Sequence, residues 1–437
     1  YPREMAYALD GVYLIFPWHW GGAYSIFSPN FVESTKLSNG VFSAKYGHAV
    51  SGLLEVNTIM PDDELHFSLD LNYTSTAAFL SSPLGKNSGI ILGTKVTYLE
   101  TLLGLYRLTG GTSTDMIAKA PYIRDFYAKY YVQPTDKLNL TFNGLFGSDG
   151  IGLDANKDNV DSEDDVITVG EIDYDYYQAF LGLNAGWMAT DSVKVNGRLA
   201  WTMMNEDLNL DMKDTGFIPY NPDFLDRYGY MISPEARARG GYELDTSTQY
   251  KEKVLHQMVQ AKEDTSVRFN DSSEIVFGAE EVLAFGSVEM KGNMWSEVNL
   301  GGDYPEYHPI VYSSKADNNK TWATSGFVLW NYGNEDTLVN GEIGLRLDHM
   351  KITGRGIDIS SQPDVNPRGT IHYTPWRDLG PFDKIVFTTG AGLFSAVPFD
   401  SAMISEETDV SSGAKQDRSL FTVIGTELDF TNDWKVS

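Results

Sequence analysis

The stretch Glu64-Leu65-His66-Phe67-Ser68-Leu69-Asp70-Leu71-Asn72-Tyr73 decides how this chain folds. Leu65, Phe67, Leu69, Leu71 and Tyr73 fall on one side of an extended backbone, and His66, Ser68, Asp70 and Asn72 on the other. Successive side chains of a strand point to opposite faces, so period two means a half-buried strand. The pattern returns in Val193, Val195, Leu199 and Trp201 against Lys194, Asn196 and Arg198. It returns again in Ile343, Leu345 and Leu347 against Glu342, Gly344, Arg346 and Asp348. An all-β protein of many such strands is expected.

Composition agrees. Aromatic residues make up 13% of the 437 residues, and 41 glycines with repeated Asn and Asp clusters supply reversals. No run approaches the roughly 18 apolar residues of a membrane helix, and the mean hydropathy is -0.27, so a helical membrane protein is excluded. A transmembrane β-barrel is not excluded, because its strands meet lipid only at every second residue. The chain has no cysteine, hence no disulfide, thiolate metal site or cysteine nucleophile. A net charge of -27 cannot neutralise a run of phosphates, so nucleic acid is not an expected partner.

Alternation alone suits a soluble sandwich equally well, but the connections separate the two. Short links fall at Leu84 to Ser88, Pro134 to Lys137, Ala189 to Ser192, Asn270 to Ser273, Asn331 to Asp336 and Pro375 to Asp383. Between them run long ones: Thr101 to Tyr122, Ser148 to Gly170, Leu208 to Lys251, Ser287 to Lys320, Lys351 to Asn366 and Ala396 to Arg418. If consecutive strands are antiparallel, every short turn lies on one side of the sheet. After a tight first hairpin near Thr74 to Thr76, every long loop lies on the other. Outer-membrane barrels sort their loops this way. Tyr73, Tyr98, Trp187, Trp201 and Trp376 then stand near strand ends as interfacial girdles. About 14 strands are counted, the last near Leu420 to Phe430, with another starting at Trp434. An open sheet edge costs several kcal/mol per unpaired group in hydrocarbon, so the expectation is a barrel that continues past Ser437.

Residues 1–60 do not alternate in this way. They read Leu9-Asp10-Gly11-Val12, then Phe16-Pro17-Trp18-His19-Trp20-Gly21-Gly22, Ser25 to Ser34, Asn39-Gly40, Ala44-Lys45-Tyr46-Gly47 and Ser51-Gly52-Leu53-Leu54-Glu55-Val56-Asn57. Taken bottom-up, Asp10-Gly11 is a tight-turn dipeptide between apolar runs, and the other glycines mark positive φ or close backbone approach. In order and spacing, the segment resembles the second half of the plug domain of TonB-dependent outer-membrane receptors. The resemblance implies a plug over 1–60 and a barrel over 61–437, truncated at its C-terminus. It also implies about 22 strands in the whole barrel and a preceding half-plug that engages TonB.

Site chemistry is sparse. There is no phosphate-binding glycine loop, no His-Glu-x-x-His and no Gly-x-Ser-x-Gly, so an enzyme is not expected. In the family's variable plug loop, Phe16, Trp18, His19, Trp20 and Tyr24 either face an incoming ligand or pack the plug against the barrel wall. The polar strand-face residues His66, Asp70, Arg198, Arg346 and Asp348 read as partners between wall and plug. In the second long loop, Asp154, Asn156, Asp158, the Val160 carbonyl and Asp165 have the oxygen-ligand spacing of a calcium loop. Asn159 stands where such loops usually carry glycine, and a solvated acidic loop is the alternative.

The function expected from the resemblance is capture of a scarce small nutrient at the cell surface and its TonB-driven import. The partners would be the inner-membrane TonB complex, outer-membrane lipid and lipopolysaccharide. A passive porin and a non-transporting β-sheet surface protein are the rivals.

Overall fold

A computed structural model of the chain describes residues 4–110, 117–155, 166–219, 240–299, 310–317, 319–334, 336–354, 357–397, 416–430 and 435–436, with positions 234 and 238.

The N-terminal part forms β1 (Met5–Leu9), β2 (Val12–Leu14), β3 (Trp18–His19), β4 (Tyr24–Ser25), β5 (Val32–Ser38) and β6 (Gly52–Thr58). β1 pairs antiparallel with β2 and parallel with β6, which pairs with β5, giving the order β2-β1-β6-β5. The β1–β2 hairpin turns on Asp10 at φ 48 and Gly11 at φ 90, the left-handed pair that a two-residue hairpin demands.

The remainder begins with β7 (His66–Leu71), β8 (Ser75–Gly85), β9 (Ser88–Thr97) and helix α1 (Leu99–Leu108). It continues as β10 (Ile117–Thr135), β11 (Leu138–Ala155), β12 (Val166–Thr190), β13 (Val193–Pro219), β14 (Gly241–Asn270) and β15 (Ser273–Asn299). Then come β16 (Ile310–Ala316), β17 (Lys320–Tyr332), β18 (Val339–Gly354), β19 (Ile357–Ser360), β20 (Asp364–Leu379) and β21 (Phe382–Ala396). The last are β22 (Asp417–Phe430) and β23 (Lys435–Val436). These strands form one closed antiparallel barrel. β16 and β19 are short additions, since β15 also pairs with β17 and β18 with β20. The sequence starts a further strand at Trp434, after the one that ends near Phe430. In the structure β23 completes the circle, pairing with Leu428 and Asp429 and neighbouring β7.

Which face points in is decided here. Phe67, Leu199 and Ile343 are more than half exposed on the outer surface, whereas Arg346 and Asp348 are buried inside. A soluble sandwich would invert that arrangement. An apolar exterior around a charged interior belongs in a bilayer.

The plug sheet occupies the lumen, and the apolar core is shared between plug and wall. Tyr13, Phe42, Tyr46 and Leu53 pack with Met258, Val282, Met350, Ile352 and Phe394. On another side Leu9, Val12, Ile26 and Phe31 meet Phe79, Ile91, Tyr127 and Phe180.

Two departures from the sequence reading concern the long-loop side. Segments expected as loops are partly strand: β13 runs to Pro219 and β14 starts at Gly241, paired rung by rung as far as Pro219 and Gly241. Above the lipid both faces of a hairpin meet water, so backbone pairing continues after the apolar alternation has stopped. The first long loop also contains α1, with Glu100 in its first turn and Arg107 in its last, matching the helix dipole. Ten residues are too few for periodicity to stand out from the strands around them.

Candidate functional site

The site is built where the plug meets the wall, and the grip begins at Ser43 to His48. Three cations from different strands converge there. Lys262 Nζ donates to the Lys45 carbonyl at 2.8 Å, Arg346 Nη1 to the same carbonyl at 3.3 Å, and Arg368 Nη1 to the Tyr46 carbonyl at 3.0 Å. Carbonyls of an irregular segment need donors once buried, and wall cations supply them. Two of the three charges are met in turn: Glu280 takes Arg346 at 2.7 Å and Lys262 at 3.1 Å, and Asp348 takes Arg346 at 2.7 Å, while the Arg368 guanidinium lies over the Phe394 ring at 4.1 Å. Gly47 has no side chain because Arg346 lies against its Cα; a Cβ there would sit 2.3 Å from Nε. The Tyr13 backbone is satisfied by the Gln260 side-chain amide, which donates to its carbonyl and accepts from its N–H, both at 2.7 Å. Burial, with Glu280 nearby, raises the Tyr13 phenol well above its ordinary value, so it stays neutral and accepts from the Gly47 N–H at 2.8 Å.

A second anchor is His19. Its side chain is fully buried, with Nε2 2.8 Å from Asp125 and Nδ1 2.8 Å from Asp149 on β10 and β11. Burial alone would push its pKa down, but the two carboxylates outweigh that and raise it to about 9. At neutral pH it is therefore an imidazolium donating through both nitrogens. The Asp10 carboxylate is a third tie. It accepts from Thr58 N–H at 2.9 Å and Asn143 Nδ2 at 2.7 Å, with Lys129 at 3.6 Å.

Above this seal lies a cavity of about 580 Å³. Leu14, Ile15, Phe16 and Gly21 of the plug form its floor, and its wall includes Tyr174, Tyr176, Met204, Glu206, Glu252 and His256. Those wall residues lie in the parts of β12, β13 and β14 remote from the short turns, so the cavity is on the long-loop side. Tyr176 fixes the floor by donating to the Phe16 carbonyl at 3.1 Å and meeting its ring edge-on. Aromatic faces, thioethers and carboxylates suit a ligand with an apolar body and positive or metal-borne charge.

The five plug-loop candidates therefore separate. Phe16 lines the cavity. Trp18 packs on Tyr7, ring centroids 6.1 Å apart, and His19 is taken up entirely by the wall. Trp20 meets Tyr24 edge-on at 5.5 Å, and Tyr24 is half exposed. Asn30 of the plug donates to Asp70 at 3.1 Å, Arg198 pairs with Asp264, and His66 packs on Phe79. Of the calcium candidates, Asp154 is the last residue but one of β11, opposite Glu171, while Asn156, Asp158, Val160 and Asp165 lie outside the described residues. Tyr174, Glu206 and Glu252 were not singled out from sequence, where the only sign of them is an inward place in the alternation.

No family's sequence profile and no curated protein matches the chain. Solved structures do. The ferric preacinetobactin receptor of Acinetobacter baumannii superposes with a TM-score of 0.58 at 11% identity over 97% of this chain. This is the fold of the TonB-dependent receptors. The pyoverdine outer membrane receptor of Pseudomonas aeruginosa gives 0.62 at 12% identity over 99% of this chain. A copper transporter gives 0.55 at 13% over 98%. The chain spans 60% of the first receptor's length and 61% of each of the other two.

Proposed function

We propose that this chain is the ligand-capturing part of a bacterial outer-membrane receptor of the TonB-dependent kind. A small nutrient binds in the cavity above the plug, and force from the inner-membrane TonB complex moves the plug to admit it. One observation carries the reading: a large cavity on the long-loop side is floored by a plug ion-paired to the wall. A passive porin needs a clear lumen, and here the lumen is filled. Among the solved relatives, receptors for pyoverdine and ferric preacinetobactin and a copper transporter favour a metal or metal chelate as cargo.

Two measurements test this. The full-length protein in a planar bilayer is expected to stay closed; steady large conductance without TonB would sink the proposal in favour of a porin. In cells, uptake of an iron-loaded siderophore panel and of copper is expected to stop in a strain lacking TonB. Uptake that continues there contradicts driven import.

A further inference from the structure

A second cavity stands below the first, against the same wall. Its volume is about 340 Å³, and Asn184, Asn196 and Arg198 of β12 and β13, with Thr141 of β11, line it opposite Asp10 and Gly11 of the plug. It meets solvent at the short-turn end, where Glu33, Asn57 and Met60 of its lining are exposed. The upper cavity borders the same two strands at Tyr174, Tyr176, Met204 and Glu206. Register stacks the two, with Tyr176 opposite Glu206 above and Asn184 opposite Arg198 below.

One hairpin of the plug separates them. Its tip, Asp10 and Gly11, borders the lower cavity, and Tyr13 to Phe16 border the upper. Between these points Leu9 and Val12 pack with Phe180 of β12 and Ala200 of β13. The wall is shallow at this level, since Gly182 pairs with Ala200 and the Phe180 ring lies across Gly182. It also carries unmet polar groups. The Gln178 amide nitrogen and the Thr202 hydroxyl belong to residues only 6% and 2% exposed, and neither has a hydrogen-bond partner among the described residues. A closed apolar seam leaves such groups unsatisfied, whereas water or a hydrophilic solute passing along the wall completes their bonds.

The hairpin is fastened unevenly. Asp10 is pinned by Thr58 of the plug and by Asn143 and Lys129 of the wall. Beyond Gly11, β2 is the edge of the plug sheet. Among the described residues its hydrogen bonds to the wall are the two that the Gln260 amide makes with the Tyr13 backbone. Moving it breaks these and the bond between the Tyr13 phenol and Gly47, all of them neutral. The ion pairs of His19 on one side and of Arg346 on the other stay closed. Neutral bonds exchange for water at far smaller cost than buried charge pairs. We propose that cargo crosses the barrel along the inward faces of β12 and β13. The passage forms when β2 swings about Gly11, off Phe180 and Ala200, and joins the upper cavity to the lower one, which is the exit. Asparagine, threonine and arginine in the exit suit a hydrophilic, hydrogen-bonding cargo. The inference rests on the import function proposed above.

The chain has no cysteine, so introduced thiols can be joined selectively in the full-length protein in cells. Val12→Cys and Ala200→Cys are bridged by a short thiol-to-thiol crosslinker. Gly40→Cys and Val423→Cys, on the opposite wall, are bridged as a disulfide, a Cβ at Gly40 standing 3.6 Å from that of Val423. Uptake of the iron-loaded siderophore panel and of copper should be lost across the first bridge, be present in the same protein left unbridged, and persist across the second. Separately, Thr202→Cys should react with a membrane-impermeant maleimide in cells with a working TonB, while Ala323→Cys, buried on β17, stays unlabelled. Heat-resistant migration on gels checks that each barrel is folded. Uptake that survives the first bridge, uptake stopped by both, a Thr202→Cys that stays protected, or labelling of Ala323→Cys to the same extent would each overturn the passage. A Val12 and Ala200 pair that cannot be bridged would overturn the packing it rests on. Uptake and Thr202→Cys labelling that continue unchanged without TonB would count against driven import instead and leave the passage standing.

Discussion

The Arg346 guanidinium lies flat against the bare Cα of Gly47, so that a methyl group at Gly47 would stand 2.3 Å from Nε. Residues 299 positions apart thus share one van der Waals surface. Arg346 is held from behind by Glu280 and Asp348 and cannot withdraw without breaking two ion pairs. Gly47→Ala is therefore expected to cost about 1–3 kcal/mol, the usual penalty of overpacking. Chemical unfolding in lipid should show it. The cost should shrink in an Arg346→Ala background, where the clash is gone. Equal costs in both backgrounds would contradict the contact.

Arg346 itself is expected to be costlier to lose. Arg346→Met strands Asp348 and half of Glu280 inside the barrel, and breaking a buried pair typically costs about 3–5 kcal/mol. Arg346→Lys should rescue little, because one ammonium cannot reach two carboxylates and the Lys45 carbonyl in the geometry of a planar fork. Brief current spikes across a planar bilayer, reporting plug loosening, should rise in both variants. A silent Arg346→Lys would show that charge alone suffices.

His19 makes the plug anchor depend on pH. Its pKa is raised from 6.5 to about 9 in the folded protein, so the stabilisation is complete below about 6.5 and is lost as pH rises through 9. At one pKa unit per 1.36 kcal/mol, the effect is on the order of 3 kcal/mol. Hydrogen exchange at residues 16–25 is expected to be slow at pH 6 and to quicken between pH 8 and 10, beyond the ordinary base-catalysed rise. His19→Gln should remove that extra step. A profile shared by wild type and variant would rule the ion pairs out as its cause.

Tyr176→Phe removes the hydroxyl that holds the Phe16 carbonyl while keeping the ring contact. Loss of one such hydrogen bond is worth about 1 kcal/mol. The cavity floor should loosen, weakening binding of an iron-loaded siderophore a few-fold by faster release, with barrel stability unchanged. An unchanged release rate would place the ligand elsewhere.

The acidic segment Asp154 to Asp165 puts six carboxylates against Lys157 within twelve residues. We propose weak calcium binding there, at about 10⁻⁴ to 10⁻³ M as in extracellular modules. Titration of the whole barrel should show uptake that falls in Asp154→Ala and Asp158→Ala. Identical uptake in all three proteins would leave a solvated acidic loop.

Read alone, the sequence determined what depends on near neighbours. Period-two alternation located the wall strands, Asp10-Gly11 marked the plug hairpin, and the sorting of short and long links assigned the two ends of the barrel. Order and spacing in residues 1–60 pointed to the plug. Tertiary structure alone decided the rest, because alternation gives two faces without saying which is inside and gives no partner for a polar residue. His19 found its carboxylates 106 and 130 residues away and became an anchor, while Phe16, three positions before it, turned into the cavity.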